Sequence, residues 1–202
     1  MPSQPHNRRR SGDRRSNTTD PRALRALAHP LRLRLLELLV QRGPMTATEA
    51  ADLLGESPAN CSFHLRTLAK YGYAEEAGGG HGRQRPWRAV PGGTSIKEEE
   101  LDIEGKAAAQ ALGRVLNELQ MDRLQDWYST KASYPKTWRT ASFETHASVM
   151  ITSAELDKLG HQVNALIEPY AERYEHPESF PKNALPVSLV AIGFPSSPSR
   201  ES

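Results

Sequence analysis

The stretch TATEAADLLGESPANCSFHLRTLAKYG, residues 46–72, leaves the chain little choice of local fold. Thr46 followed three residues later by Glu49 is a capping box that opens a short helix, and Gly55 closes it. Ser57-Pro58 opens the next helix, with proline at the first helical position, and Gly72 ends it. Two short helices joined by a glycine-containing turn of about four residues form a helix-turn-helix, whose second helix enters the DNA major groove. Helical hairpins that never meet DNA share this spacing, so the faces of the second helix matter. At about 100° per residue, Cys61, Leu65 and Leu68 fall within roughly 60° of one another, with His64 and Ala69 on the flanks. Ala59, Ser62, Phe63, Arg66 and Lys70 face the other way. The apolar seam is the buried side.

Two helices are expected ahead of this pair. Asp20-Pro21 is an N-cap with proline behind it and starts a short helix over 21–28. His29 precedes Pro30 and is pushed out of the α region, so a second helix begins there and runs over LRLRLLELLVQ, 31–41. Its polar residues Arg34, Glu37 and Gln41 share one narrow stripe. The rest is enclosed by protein, and Leu33 and Val40 meet either the long helix of the second half or a partner subunit. After the helix pair, Tyr73–Ala77 and Arg85–Val90 read as strands, with the basic, flexible GGGHGRQ between them in a β-hairpin position.

A helix-turn-helix followed by a basic hairpin is a winged helix. LAHPLRLRLLELL, the helix pair with SFHLRTLAKYG, and GRQRPWRAV resemble the DNA-binding domain of ArsR-like transcriptional regulators, over about residues 20–90. The similarity is greatest to a branch common in actinobacteria whose wing reads like GRQRPW.

The outward face of the second helix suits readout of double-stranded DNA. Arg66 can contact guanine or a phosphate bidentately, Asn60 and Ser62 can bond base edges or backbone, and Phe63 either meets a thymine methyl or packs on a sugar. Lys70 lies on the same face. His64 resembles the family's histidine in this helix, which packs, bonds a backbone group or touches phosphate. Arg83 and Arg85 on the wing are candidates for phosphate or minor-groove contact, whereas Trp87 is expected to bury under the hairpin. Thr46 and Thr48 begin the preceding helix and can bond one phosphate.

Cys61 is the chain's single cysteine. It stands where the resemblance implies an aliphatic residue. ArsR-like metal sensors carry a Cys-rich motif on the first helix of the pair, and here that segment is EAADLLG. His161 and His176 lack a complementary pair at helical spacing, so four convergent zinc ligands are not in view and no metal or other cofactor is expected. A buried thiol without a cationic neighbour is inert, which makes Cys61 a core residue by expectation.

Charge separates the two halves. Residues 1–20 carry 5 Arg and 2 Asp, residues 21–93 carry 10 basic and 6 acidic side chains, and residues 94–202 carry 11 basic and 16 acidic ones. A basic first half and an acidic second half place the polyanion contact in the first. Residues 1–19 contain no apolar residue after Met1 and are expected to be a disordered basic tail. With no signal-like apolar core and no apolar run near 20 residues, no membrane association is expected and the default location is the cytoplasm, at the nucleoid.

A long helix is expected from Ile96 to near Tyr128, with Ala108, Leu112, Val115 and Leu119 forming a heptad-like seam. That seam suits pairing with a symmetry mate in a homodimer, or packing within the chain. Phe143 to Ile151 alternates as a strand, Thr152-Ser-Ala-Glu155 opens a further helix that Pro169 kinks, and PVSLVAIGF, 186–194, reads as a final buried strand. This C-terminal part also resembles, more loosely, the extension of that regulator branch. Trp127, Tyr128, Tyr134 and Trp138 are candidates to line a small-molecule effector pocket or to form core.

The expected fold is mainly α with a small β component. It comprises a disordered basic tail at 1–19, a winged helix-turn-helix domain at 20–93, a dimerisation helix with a small α+β effector or interaction unit at 94–195, and a tail at 196–202. The expected function is that of a dimeric repressor, with helix 58–71 in the major groove and the wing at 78–85 on the minor groove or backbone. An interaction module whose winged helix binds protein is the alternative. An enzyme on 127–194 would require acid/base pairs, and no catalytic constellation is visible.

Overall fold

The computed structural model describes residues 16–17, 20–78, 85–90, 94–95, 98–175 and 180–196. The chain divides into two units, Met1–Leu119 and Gln120–Ser202.

The first unit is built on capped helices. α1 (Pro21–Leu27) starts where Asp20 accepts from the Arg22 amide at 2.9 Å. α2 (Pro30–Arg42) is capped by His29, which is extended as a residue before proline must be, and whose Nδ1 accepts from the Leu31 amide at 3.2 Å. α3 (Ala47–Leu54) opens on the Thr46/Glu49 capping box, and α4 (Pro58–Lys70) on Ser57, whose hydroxyl accepts from the Asn60 amide.

Strands follow. β2 (Ala74–Glu76) pairs antiparallel with β3 (Trp87–Ala89), and Met45, just before α3, bridges Trp87 from the other side through two backbone bonds of 3.0 and 2.7 Å. The order helix, bridge, helix-turn-helix, hairpin is that of a winged helix. Ser16–Asn17 (β1), expected inside a disordered tail, instead pairs in parallel with Thr94–Ser95 (β4), as backbone groups can irrespective of side chain.

One core joins these pieces. Leu24, Leu35, Cys61, Leu65 and Leu68 are fully enclosed, and Trp87 is buried under the hairpin as expected. The same core takes Leu101, Ala108, Ala109 and Leu112. The long helix α5 (Ile103–Thr130) therefore begins inside the first unit, which ends within it at Leu119. α5 starts at Ile103 and not at Ile96 because Asp102 caps it, accepting from the Gly105 amide at 2.7 Å. An ion pair between Arg25 and Glu104 ties its first turn to α1.

This packing decides the heptad-like seam. Ala108 and Leu112 lie in the chain's own core, Leu119 is buried, Val115 is half-buried and Leu33 packs half-buried against the core. Ala108, Leu112 and Leu119 are covered by the chain itself, the intrachain pairing that the spacing also permits.

The second unit holds the end of α5, the short helix α6 (Lys136–Ala141) and α7 (Ser153–Ala171). α7 opens on the Thr152/Glu155 capping box, and Pro169 stands near its end, where a 3-10 turn follows. Residues 143–151 and 186–194 form neither helix nor strand and belong to no sheet, and the second is exposed rather than buried. A strand is completed by a neighbouring backbone, and among the described residues neither segment has one. No described helix is long and apolar enough to cross a membrane.

Candidate nucleic-acid interface

The turn between α3 and α4 needs glycine. Gly55 adopts the left-handed conformation, φ 67° and ψ 33°, and its amide and that of Glu56 both donate to the Ala51 carbonyl. That turn orients α4 across α3 and leaves one long face of α4 outside.

α4 divides as its sequence pattern requires. Cys61, Leu65 and Leu68 have no exposed surface, while Phe63 is 61% exposed and Arg66 and Lys70 are exposed beside it. Ser62 and Asn60 are half-buried at the edge of this face. Arg66 makes no ion pair among the described residues, which leaves its guanidinium for a ligand. Asn60 is held by Glu56, its amide donating to the carboxylate at 2.9 Å. The i, i+4 spacing of Glu56 and Asn60 is the signal that reveals this contact.

Three expected contacts have a different setting. His64 is only 7% exposed and stacks on His29 with ring centroids 4.4 Å apart, so of the roles open to it the structure gives the packing one. Thr46 spends its hydroxyl on Glu49, donating to the carboxylate at 2.8 Å and accepting from the amide at 3.2 Å, whereas Thr48 is exposed. On the hairpin, Arg85 pairs with Glu76 at 2.7 Å, which raises the arginine pKa further and leaves its charge half answered. Arg88 pairs with Glu75 in the same way. Arg83, most of the wing at 78–85, and His176 lie outside the described residues.

His29 and His64 line an open cleft of about 320 Å³ with Arg34, Glu56 and Asn60. Burial, and then positive neighbours including Arg32, push both imidazole pKa values down, against a smaller opposing pull from Glu56. Protonation would also remove the lone pair with which His29 caps α2. A histidine with a lowered folded pKa favours the folded state fully above the unfolded value of about 6.5, and loses that contribution as pH falls and the unfolded chain takes up protons first. The winged-helix unit is therefore expected to lose stability between pH 7.5 and 5.5. Urea midpoints at the two pH values check this, and a His64→Leu variant should show a shallower dependence than wild type.

Cys61 is fully buried, and its thiol pKa is raised by burial first and by the charge of Glu56 second. Both effects suppress the thiolate that oxidants and metals need. Cys61→Val should leave DNA binding unchanged in the presence or absence of peroxide, whereas Cys61→Ser, which buries a hydroxyl, should cost about 1–3 kcal/mol in a denaturation experiment. A wild-type response to peroxide that Cys61→Val abolishes would show the thiol to be a sensor.

In the second unit, Trp127 and Tyr134 meet edge to face at 5.3 Å, and the Tyr128 hydroxyl donates to Glu144 at 2.6 Å. Among the described residues, no three His, Cys, Asp or Glu side chains converge as metal ligands would.

The helix-turn-helix domain family matches residues 27–72, which span α2, α3, the turn and α4. No curated protein matches the chain. The matched domain points to a DNA-binding regulator rather than an enzyme.

Proposed function

We propose that the chain is a sequence-specific transcriptional regulator of double-stranded DNA, acting as a dimeric repressor in the cytoplasm at the nucleoid, and that it is ArsR-like. The observation that carries this reading is the outward face of α4. An exposed phenylalanine and an unpaired arginine stand together on a helix whose opposite face is completely buried. Phe63 meets the His64 ring edge to face at 5.2 Å and otherwise stands exposed, and the residue types of this face are those that read thymine methyls and guanine edges.

In this reading α4 lies in the major groove with Arg66 and Phe63 toward bases, and Asn60, Ser62, Lys70 and Thr48 toward bases or backbone. The wing, with Arg83 and Arg85, follows the minor groove or the phosphates. One winged helix covers a half-site, so two copies are required for a pseudo-palindromic operator. A small-molecule effector would be sought at Trp127, Tyr128, Tyr134 and Trp138 through ligand-dependent tryptophan fluorescence.

Selection of binding sites from random duplex DNA tests the proposal. A recovered pseudo-palindrome with half-sites about one helical turn apart supports it. Retention of DNA without sequence preference at moderate salt overturns it and favours a winged helix that binds protein.

A further inference from the structure

Four side chains of α4 point directly away from its buried side. At about 100° per residue, Ala59, Phe63, Arg66 and Lys70 lie within roughly 30° of the line opposite Cys61, His64, Leu65 and Leu68, and all four are exposed. Asn60, Ser62 and Thr67 fall to the flanks and are half-buried. A helix laid in a groove turns its outermost line to the base edges on the floor and its flanks to the sugars and phosphates of the walls.

Two of the four reach outward. Ala59 ends at its methyl group, and the Lys70 ammonium lies over the Tyr71 ring, 5.6 Å from its centroid, at the end of the helix. Phe63 and Arg66 remain, side by side at i and i+3. Arg66 has no ion pair or hydrogen bond among the described residues. The Phe63 ring is braced from behind: it meets the His64 ring edge to face at 5.2 Å, and His64 stacks in turn on His29 at 4.4 Å. The Phe63 carbonyl also accepts from the Thr67 hydroxyl at 3.0 Å. A ring held in this way loses little freedom when it docks.

The chemistry of the groove floor then narrows what the ring can meet. Base edges there present hydrogen-bond donors and acceptors, and a phenyl ring laid over them would take them out of water without a partner. The exception is the methyl group on C5 of a pyrimidine, carried by thymine and by 5-methylcytosine. Three residues advance about 4.5 Å along the helix axis, against about 3.4 Å per base along one strand, so the groups beneath Phe63 and Arg66 are closer to one base step apart than to two.

We infer that Phe63 reads the C5-methyl of a pyrimidine one base step from a guanine held by Arg66, so that binding depends on a single methyl group in each half-site. The inference rests on the proposed docking of α4 in the major groove and names what that docking recognises. It also makes the chain responsive to the methylation state of a cytosine placed at that step.

The test takes the full chain and the operator that it selects from random duplex DNA. Each thymine is replaced in turn by uracil, which lacks only the methyl group, and affinity is read by fluorescence anisotropy for wild type, Phe63→Ala and Arg66→Ala. Wild type should show one thymine per half-site whose uracil form binds about fourfold more weakly, the share of one buried methyl-sized group. That thymine should adjoin the guanine at which Arg66→Ala relaxes preference. Cytosine in its place should weaken binding, and 5-methylcytosine should recover about fourfold of the loss. Recovery assigns the contact to either source of the methyl, and uracil sensitivity without recovery assigns it to thymine alone. Phe63→Ala should keep the thermal midpoint of wild type and bind the thymine and uracil operators equally. Indifference of wild type to uracil at every position overturns the inference without recourse to a variant. Uracil sensitivity that survives Phe63→Ala, or that lies away from the Arg66 guanine, overturns it as well. An operator bound without methyl dependence leaves the proposed function standing, whereas failure to select any operator removes both.

Discussion

Leu65→Ala is expected to lower the stability of the winged-helix unit by about 2–5 kcal/mol. The side chain has no exposed surface and lies at the middle of α4, in one core with leucines of α1 and α2. Its loss leaves a cavity beneath the helix that faces outward, in a small core with few other side chains to collapse into it. Against a typical total of about 5–15 kcal/mol, that is a large share. The control is Leu53→Ala on the neighbouring α3, where the side chain is half exposed and the change should stay within about 0.5 kcal/mol. Denaturant dependence of amide exchange in α4 reads both without interference from the second unit. A Leu65→Ala effect as small as that of Leu53→Ala would mean that α4 is not anchored by this seam.

Arg66→Ala is expected to weaken operator binding by about 1–3 kcal/mol and to relax preference at one base position. The reasoning is geometric: Arg66 is exposed on the face shared with Phe63, carries no ion pair among the described residues, and has five donors in a planar fork. Arg66→Lys keeps the charge and loses the fork. If the role is bidentate base recognition, the lysine variant should resemble alanine in specificity while keeping the slope of affinity against salt. Equal loss on all sequences, with a shallower salt slope, would assign Arg66 to phosphate instead. Fluorescence anisotropy with the selected operator and with single-base variants separates the two outcomes.

The local chemistry of the first unit was readable because its punctuation is strong. Asp20-Pro21, Thr46 with Glu49, Gly55 and Ser57-Pro58 all act where their residue types require, as Thr152 with Glu155 does in the second unit, and the seam of α4 falls on the side its period assigns. Other features depend on contacts distant in sequence. The start of α5 escaped because Glu98 to Glu100 continue a helix-compatible run, and only the Asp102 cap marks the true beginning. His64 lies on the flank of the seam, and what turns it decisively inward is His29, thirty-five positions earlier. The wing arginine at 85 is half answered because strand register puts Glu76 within reach, which composition does not reveal. Segments 143–151 and 186–194 alternate or run apolar as strands do, but that pattern alone does not say which backbone would complete a ladder.

The stacked histidines have a further consequence. His29 fixes the beginning of α2 with one nitrogen and supports α4 with its ring face, so two helices take their positions from a single imidazole. A change at 29 alone removes a cap and a packing surface together, and a change at 64 alone leaves that surface bare. Among chains descended from the same ancestor, positions 29 and 64 should therefore vary jointly, and a double substitution should cost less than the two single ones added together.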